Sequence, residues 1–273
     1  MDSADVVRSL RVEPGKPAGL AKRDSGDRLG FPDKETGLAR LEERVVRLGF
    51  LHNRLWAEQT RSVLLVLQGL DASGKDGTIR NVLTGMNPQG CRVVSFKAPT
   101  ATDLDHDYLW RIHAVCPGRG EIGIFNRSHY EDVTTVRVRQ LAPEHVWKRR
   151  PHQIREFERL LTDEGTALVK VFLHVSPDEQ RRRLQERLDD PEKAWKFRVS
   201  DLEARAHWND YMEAYEEVIT ETSTEWAPWH VVPADRNWVR NLAVADLLVA
   251  ALERLDPQLP ALDQSVAAGL KVT

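Results

Sequence analysis

A short apolar run leads directly into a glycine-rich turn, and this junction constrains the fold more than any other feature of the chain. Within residues 62–68, SVLLVLQ, positions 63–67 are continuously apolar, as in strands buried on both faces of a parallel sheet. Residues 69–77, GLDASGKDG, then match the spacing Gly, four residues, Gly, Lys. This order predicts a loop that binds phosphate through backbone N–H groups and the start of a helix. An ordinary glycine turn between a strand and a helix is the alternative.

Four more apolar runs resemble the first one and alternate with amphipathic patterns. The predicted strands after the first are 91–96, 121–126, 167–175 and 229–234. The predicted helices are 35–59, 102–115, 143–164, 207–220 and 237–255. Strands that alternate with helices favour right-handed crossovers, so we predict an α/β fold with a parallel sheet of about five strands.

The domain organisation follows from where these patterns begin and end. Residues 1–35 lack a sustained period and are expected to form an extended N-terminal arm. Residues 36–256 are predicted to form a single domain, and 257–273 a C-terminal tail. Within the domain, residues 181–205 begin with a dense run of both charge signs and are expected to form a helical lid, by analogy with phosphate-loop kinases.

Composition excludes several classes of protein. The net charge of -3 over 273 residues argues against nucleic acid as the main partner, because such domains are usually strongly basic. Two cysteines, Cys91 and Cys116, occur without a metal-ligand pattern, which is typical of reduced thiols. No apolar run is long enough for a signal peptide or a membrane span. A cytoplasmic protein without a membrane partner is therefore expected.

The glycine-rich loop carries the first set of candidate functional residues. Phosphate is expected to be bound by Gly69, Ala72, Ser73, Gly74, Asp76, Gly77 and Thr78. Lys75 would bring a mobile charge to the transferred phosphoryl group. Asp76 stands where most such loops have a hydroxyl that binds magnesium. We therefore favour Asp71 as the Mg²⁺ ligand, with a turn-capping role as its alternative, and interpret Asp76 as a helix N-terminal charge.

The predicted strand 121–126 ends in a second polar motif. Asn126 and Arg127 follow the apolar run, and Glu131 and Asp132 come about one turn later. Arg127 can neutralise phosphate charge through two parallel hydrogen bonds. If the segment is helical, Glu131 and Asp132 lie within reach of a metal, a base or a ribose. An ordinary helix with a charged solvent face is the alternative.

Five motifs in order resemble the polyphosphate kinase 2 family over residues 38–255. They are GLDASGKDG, FNRSHYEDV, HQIREFERLLTDEG, RRRLQERLDDPEKAWKF and STEWAPWHVVPADRNWVRN. The resemblance implies a P-loop kinase fold and Mg²⁺-dependent phosphoryl transfer between inorganic polyphosphate and nucleotides. It also implies a homo-oligomer, and adenine or guanine nucleotides as partners.

The resemblance also assigns roles to residues. It makes Asp71 and Lys75 the essential members of the phosphate cradle and matches Asn126 and Arg127 to the second motif, so we take Asp71, Lys75 and Arg127 as the catalytic group. It places Arg183, Arg187, Lys196 and Arg198 in the lid as polyphosphate-binding cations, and Lys193 in the same charged run is expected to join them. A polyanionic donor suits an extended row of cations, although a solvated helix of mixed charge would explain about half of them. The Asn126 form of the second motif is similar to short members that act on AMP and, in class III, also on ADP, and it leaves open whether Asn126 binds metal.

Two other functions remain open from the sequence. The first is an ATP-using nucleotide or small-molecule kinase of the same fold. The second is a non-catalytic regulator that binds nucleotide at the loop. For the favoured function, polyphosphate would phosphorylate AMP or ADP reversibly, by direct in-line transfer.

Overall fold

A five-stranded parallel sheet forms the centre of the protein, which is described here for residues 3–262 from a computed structural model. The strands are β1 Ser62–Gln68, β2 Cys91–Ser95, β3 Ile122–Asn126, β4 Thr166–His174 and β5 Trp229–Pro233. All neighbouring pairs are parallel, and the order is β2-β3-β1-β4-β5. The predicted strands are confirmed, each to within one residue at either end.

Twelve helices within residues 3–262 surround the sheet. They are α1 Ser3–Leu10, α2 Lys34–Glu58, α3 Lys75–Val82, α4 Ala101–Leu104, α5 Trp110–His113, α6 Glu131–Val138, α7 Glu144–Trp147, α8 Arg150–Asp163, α9 Pro177–Asp189, α10 Val199–Ala206, α11 Trp208–Thr222 and α12 Asn237–Leu255. Short 3-10 turns lie at Leu20–Lys22, Leu83–Gly85, Pro88–Gly90 and Ala194–Lys196. Over the described range, no helix has the length and apolar character needed to cross a membrane.

Strand β1 separates two hydrophobic cores. Val63, Leu65 and Leu67 belong to the core shared with α2 and α12, whereas Leu64 and Val66 belong to the core shared with α6, α8 and α11. Alternate residues of a strand point to opposite faces, so a strand between two helical layers needs apolar residues throughout. This explains the uninterrupted apolar run from which the fold was predicted.

Two predicted helices are interrupted. The stretch 102–115 contains α4 and α5, separated by a turn in which Asp107 Oδ1 accepts a hydrogen bond from Leu109 N at 2.9 Å. Short acidic side chains stabilise such turns at the expense of helix. The stretch 143–164 contains α7 and α8, and Pro151 lies in the first turn of α8, where a missing N–H costs little.

The N-terminal segment begins with a helix that the sequence interpretation did not include. It contains α1, whose Val6 and Leu10 are buried, and α1 packs against α12 and β5. Further along, Val12 N donates a hydrogen bond to Trp229 O at 2.8 Å. Eight residues are too few to produce a sustained period, so the pattern could not be recognised. Most of the predicted tail 257–273 lies outside the described residues.

A buried ion pair joins β4 to α8 beneath the second motif. Lys170 Nζ lies 2.6 Å from Glu158 Oε2, and neither residue is exposed to solvent. Glu158 Oε1 also accepts from Tyr130 Oη at 2.7 Å, which ties the turn after β3 to the pair. The pair therefore supports the position of the second motif from below.

Replacing Lys170 by methionine should lower the free energy of unfolding by about 3 kcal/mol, because Glu158 would be left buried without its counter-charge. Urea denaturation would measure the loss. The double variant Lys170→Met with Glu158→Leu should recover part of it, since no uncompensated charge remains. A loss below about 1 kcal/mol in the single variant would contradict this prediction.

Candidate active site

Two glycines give the phosphate loop a backbone path that other residues could not follow. Gly69 and Gly74 have φ angles of 145° and 105°. A Cβ at Gly74 would lie 1.9 Å from Arg240 Nη1, and one at Gly69 would lie 2.9 Å from Leu173 O. Both positions therefore require glycine for conformation and for space. The loop leads directly into the N-terminus of α3, as the motif predicts.

Lys75 folds back over the loop that precedes it. Its Nζ donates to Gly69 O at 2.7 Å and to Leu70 O at 3.3 Å, and the residue is buried. Burial, followed by the nearby charge of Arg127, lowers the pKa of Lys75 to about 8. The amine is therefore bound only by neutral carbonyls at the loop. An anionic ligand would attract it more strongly than these carbonyls do.

The pKa of Lys75 makes phosphate binding depend on pH. Below pH 8 the amine is protonated and attracts phosphate, and above this pH the free protein loses that charge. We expect the ratio of tripolyphosphate affinities, native protein over Lys75→Met, to fall about tenfold between about pH 7 and about pH 10. Titration calorimetry would measure both proteins. A constant ratio would show that Lys75 does not titrate in this range.

Arg127 connects the second motif to the phosphate loop. It follows β3, which is the neighbour of β1, and it forms a close ion pair with Asp71. Its Nη1 also lies 3.2 Å from Glu131 Oε2. Burial opposes ionisation of Asp71, but the charges of Arg127 and Lys75 outweigh it and hold the pKa of Asp71 below its usual value. Asp71 is therefore a carboxylate at neutral pH, within a charged cluster.

Arg127 has a φ angle of 62°, in the left-handed region that side chains rarely adopt. Its N–H donates to Leu67 O at 3.0 Å, which anchors this conformation to β1. Strain of this kind is concentrated at functional sites, where surrounding contacts hold it. The backbone conformation of Arg127 is therefore consistent with a functional role for this residue.

The oxygen groups around the loop suit magnesium. Asp71 and Asp76 are carboxylates, and Asn126 Nδ2 donates to Asp76 Oδ1 at 2.6 Å. No cluster of three or more His, Cys, Asp or Glu side chains is arranged to hold a metal within residues 3–262. Mg²⁺ is usually bound by one or two carboxylates together with substrate phosphates and water. This donor set therefore fits a magnesium ion that arrives with a phosphate ligand.

Other predicted residues have different surroundings. Glu131 holds Arg127 and accepts from Thr135 Oγ1 at 2.7 Å. Asp132 lies 3.4 Å from Arg111 and 4.0 Å from Arg150, so it faces α5 and α8 and not the loop. We therefore expect Asp132 to stabilise the arrangement of these helices.

Three other predicted residues of the loop region have different surroundings from one another. Ser73 Oγ is buried and has no hydrogen-bond partner among the described residues, so it is a free polar group inside the loop. Thr78 Oγ1 instead accepts from Arg240 Nε at 2.8 Å, behind the loop. Ala72 has a φ angle of 63° and contributes its backbone to the turn.

The predicted lid cations do not form one continuous row. Arg183 is nearly buried, and its Nη1 donates to Ala72 O at 3.0 Å and to Ser73 O at 3.1 Å. Arg187 lies 3.4 Å from Asp201, and Lys193 is paired with Asp190 at 2.7 Å. The exposed members are Lys193, Lys196 and Arg198. Arg183 therefore supports the phosphate loop from outside.

Two residues near the loop were missed by the sequence interpretation. Asp201 is buried on α10, and burial followed by the charge of Asp71 raises its pKa. Arg240 is buried on α12 behind the loop. A charged residue within the apolar helix 237–255 is a signal that could have identified Arg240. Asp201 has no such signal, because an acidic residue in a segment of mixed charge is usually exposed and only packing buries it.

The strand order and the glycine loop after β1 define a P-loop kinase fold. The sequence model described as polyphosphate kinase 2 matches residues 32–260. The chain belongs to the polyphosphate kinase 2 family.

Relatives from several bacteria resemble the chain over nearly its full length. An AMP/ADP-polyphosphate phosphotransferase from Meiothermus ruber is 54% identical over 255 residues, covering 93% of this chain and 96% of the relative. An ADP-polyphosphate phosphotransferase from Rhodopseudomonas palustris is 44% identical, covering 93% and 92%. The crystal structure of polyphosphate kinase 2 from Arthrobacter aurescens superposes with a TM-score of 0.92 at 44% identity, covering 98% of this chain and 95% of that one.

Proposed function

We propose that the protein transfers phosphoryl groups reversibly between inorganic polyphosphate and AMP or ADP, in a magnesium-dependent reaction. The observation that carries the proposal is the convergence of Lys75, Arg127 and Asp71 at one phosphate loop. The names of the relatives from Meiothermus ruber and Rhodopseudomonas palustris support the same donor and acceptors.

The chemistry requires positioning and charge neutralisation more than covalent catalysis. Lys75 and Arg127 would neutralise the oxygens of the transferred group, and the loop amides would orient them. Asp71 is the carboxylate that would hold magnesium, while Asp76 lies in the first turn of α3 as a helix N-terminal charge. When bound, that ion would neutralise negative charge on neighbouring phosphate oxygens. Because Arg127 is paired with Asp71 and Glu131, its guanidinium is oriented before substrate arrives.

A side-by-side assay of donors and acceptors tests this function. Polyphosphate and ATP would be supplied separately, each with AMP, ADP, GMP or GDP, and the products separated by chromatography. We expect polyphosphate to convert AMP to ADP and ADP to ATP. Transfer only from ATP would favour the ATP-using kinase, and ADP as the sole product from AMP would exclude the class III assignment.

Direct in-line transfer is part of the proposal. The cluster at the loop contributes cations, carboxylates and backbone donors, and none of these needs to accept the phosphoryl group covalently. Incubation with labelled polyphosphate alone should therefore leave the protein unlabelled. A trapped phosphoprotein that transfers its label to added ADP would contradict direct transfer.

We also propose that the protein is cytoplasmic and forms a homo-oligomer. The free thiols Cys91 and Cys116 support a reducing compartment. Val46 and Phe50 are 70% and 48% exposed on α2, and such apolar groups are typical of subunit interfaces. Light scattering of the purified protein would determine the assembly.

A further inference from the structure

Arg240 is a buried charge that forms no direct ion pair with a carboxylate among the described residues. The residue is only 3% exposed on α12. Its guanidinium donates to Thr78 Oγ1 and Asn237 Oδ1 at 2.8 Å, to Asn241 Oδ1 at 3.1 Å and to Ser73 O at 3.4 Å. Every acceptor is neutral, and among the described residues the acidic group that attracts Arg240, Glu179, is itself paired with Arg183 at 2.7 Å. A buried guanidinium normally has an acidic partner, so this arrangement requires an explanation.

The guanidinium lies directly behind the phosphate loop. A Cβ at Gly74 would lie 1.9 Å from Arg240 Nη1, so the side chain touches the backbone of Gly74. Arg183 approaches the same outer side of the loop, and Arg183 Nη2 meets Asn237 Oδ1 at 3.2 Å. Together, the two arginines bind the carbonyls of Ala72 and Ser73. Arg240 therefore lies against the backbone of the loop at Ser73 and Gly74.

In the free protein, the surroundings of Arg240 disfavour its charged form and therefore lower its pKa. Burial, followed by repulsion from Arg183, lowers the pKa of Arg240 to about 9, and the more distant Glu179 only partly opposes this effect. A charge in a poorly hydrated position interacts strongly with any ion that approaches it. Polyphosphate at the loop would bring several negative charges close to Arg240. Its charge would then be compensated by the ligand.

We infer that Arg240 is a positioning residue that holds the phosphate loop from behind and attracts polyphosphate through the loop backbone. Its hydrogen bond to Ser73 O directs that carbonyl away from the ligand side, which leaves the loop amides free for phosphate. Its positive charge adds to those of Lys75 and Arg127 without contacting the ligand. This inference rests on the proposed function for the identity of the ligand.

Two substitutions separate the charge from the hydrogen bonds. Arg240→Gln removes the charge but keeps a hydrogen-bonding amide, whereas Arg240→Lys keeps the charge. We expect Arg240→Gln to bind tripolyphosphate about tenfold more weakly in titration calorimetry, and Arg240→Lys to lose less than about threefold. Arg254→Gln is the matched control, because Arg254 is exposed at the other end of α12, and it should bind as the native protein does.

Thermal unfolding with and without tripolyphosphate distinguishes this role from simple packing. For Arg240→Gln we expect a smaller rise in melting temperature on adding ligand, with little loss in its absence. A lower melting temperature with an unchanged affinity would overturn the inference, as would equal losses of affinity in the glutamine and lysine variants. If Arg240→Gln does not fold, Arg240→Met must show the same loss of affinity.

The proposed function can fail independently of this inference. Native protein that binds tripolyphosphate but forms no nucleotide product would disprove the function, while a selective loss of affinity in Arg240→Gln would still support the role of Arg240. Native protein that transfers phosphate, with affinity unaffected in Arg240→Gln, would overturn the role and leave the function intact.

Discussion

Replacing Lys75 by alanine should reduce the rate of phosphoryl transfer about 1,000-fold or more, with the fold intact. Lys75 Nζ lies against the loop carbonyls Gly69 O and Leu70 O, and no other lysine is buried at this loop in the described structure. Without the Lys75 amine, the negative charge that develops on the oxygens of the transferred phosphoryl group would lose a mobile cation that stabilises it. Removing the amine should not destabilise the fold, because burial already disfavours its charged form.

Initial rates with polyphosphate and ADP would measure the loss, and circular dichroism would verify the fold. Lys34→Ala is a suitable control, because Lys34 is exposed at the start of α2. A folded Lys75→Ala protein that retains a tenth of the native rate would contradict the assignment. Steady turnover in the native protein that disappears in this variant would also exclude a purely regulatory role for the loop.

Replacing Asp71 by asparagine should lower transfer on the order of 1,000-fold and should weaken its dependence on magnesium. The structure adds a second reason for a large effect. Asp71 forms a close ion pair with Arg127, so an amide at this position would weaken metal binding and would also remove one of the two carboxylates that hold the arginine. Its pKa is held low by Arg127 and Lys75 despite burial, which keeps the group an anionic oxygen ligand at neutral pH.

The matched comparison is Asp76→Ser, which restores the hydroxyl that most phosphate loops carry. Asp76 is exposed on the first turn of α3 and is bonded to Asn126, so its replacement should be milder. Rates would be measured for both variants across a magnesium titration. Equal losses in both would show that the metal has been assigned to the wrong carboxylate.

The positions of the strands could be predicted because their signal is local. A strand buried on both faces must be apolar at consecutive positions, and β1 has this pattern directly before its glycine loop. The loop motif likewise depends only on neighbouring residues. The interruption between α4 and α5 was missed, because helical periodicity extends across a turn that Asp107 stabilises.

The roles of several charged residues could not be predicted, because they depend on distant parts of the chain. Asp132 is adjacent to Glu131 in the sequence, but only Glu131 contacts Arg127, since the helical turn directs Asp132 towards α5 and α8. Arg183 was expected to bind polyphosphate, and nothing in the sequence indicated its contact with the carbonyls of Ala72 and Ser73, which the position of α9 produces. Helix direction and packing decided both outcomes.

By itself, the sequence determined the alternation of strands and helices, the phosphate loop and the resemblance to polyphosphate kinase 2. Each of these depends only on residues that are close together in the sequence. Only the tertiary structure brought Arg127 onto Asp71 and Arg240 behind Gly74. These contacts join residues more than fifty positions apart, and their strength depends on burial and on the charges around them. Neither property can be deduced from residue type and spacing, so the electrostatics of the site emerged only with the fold.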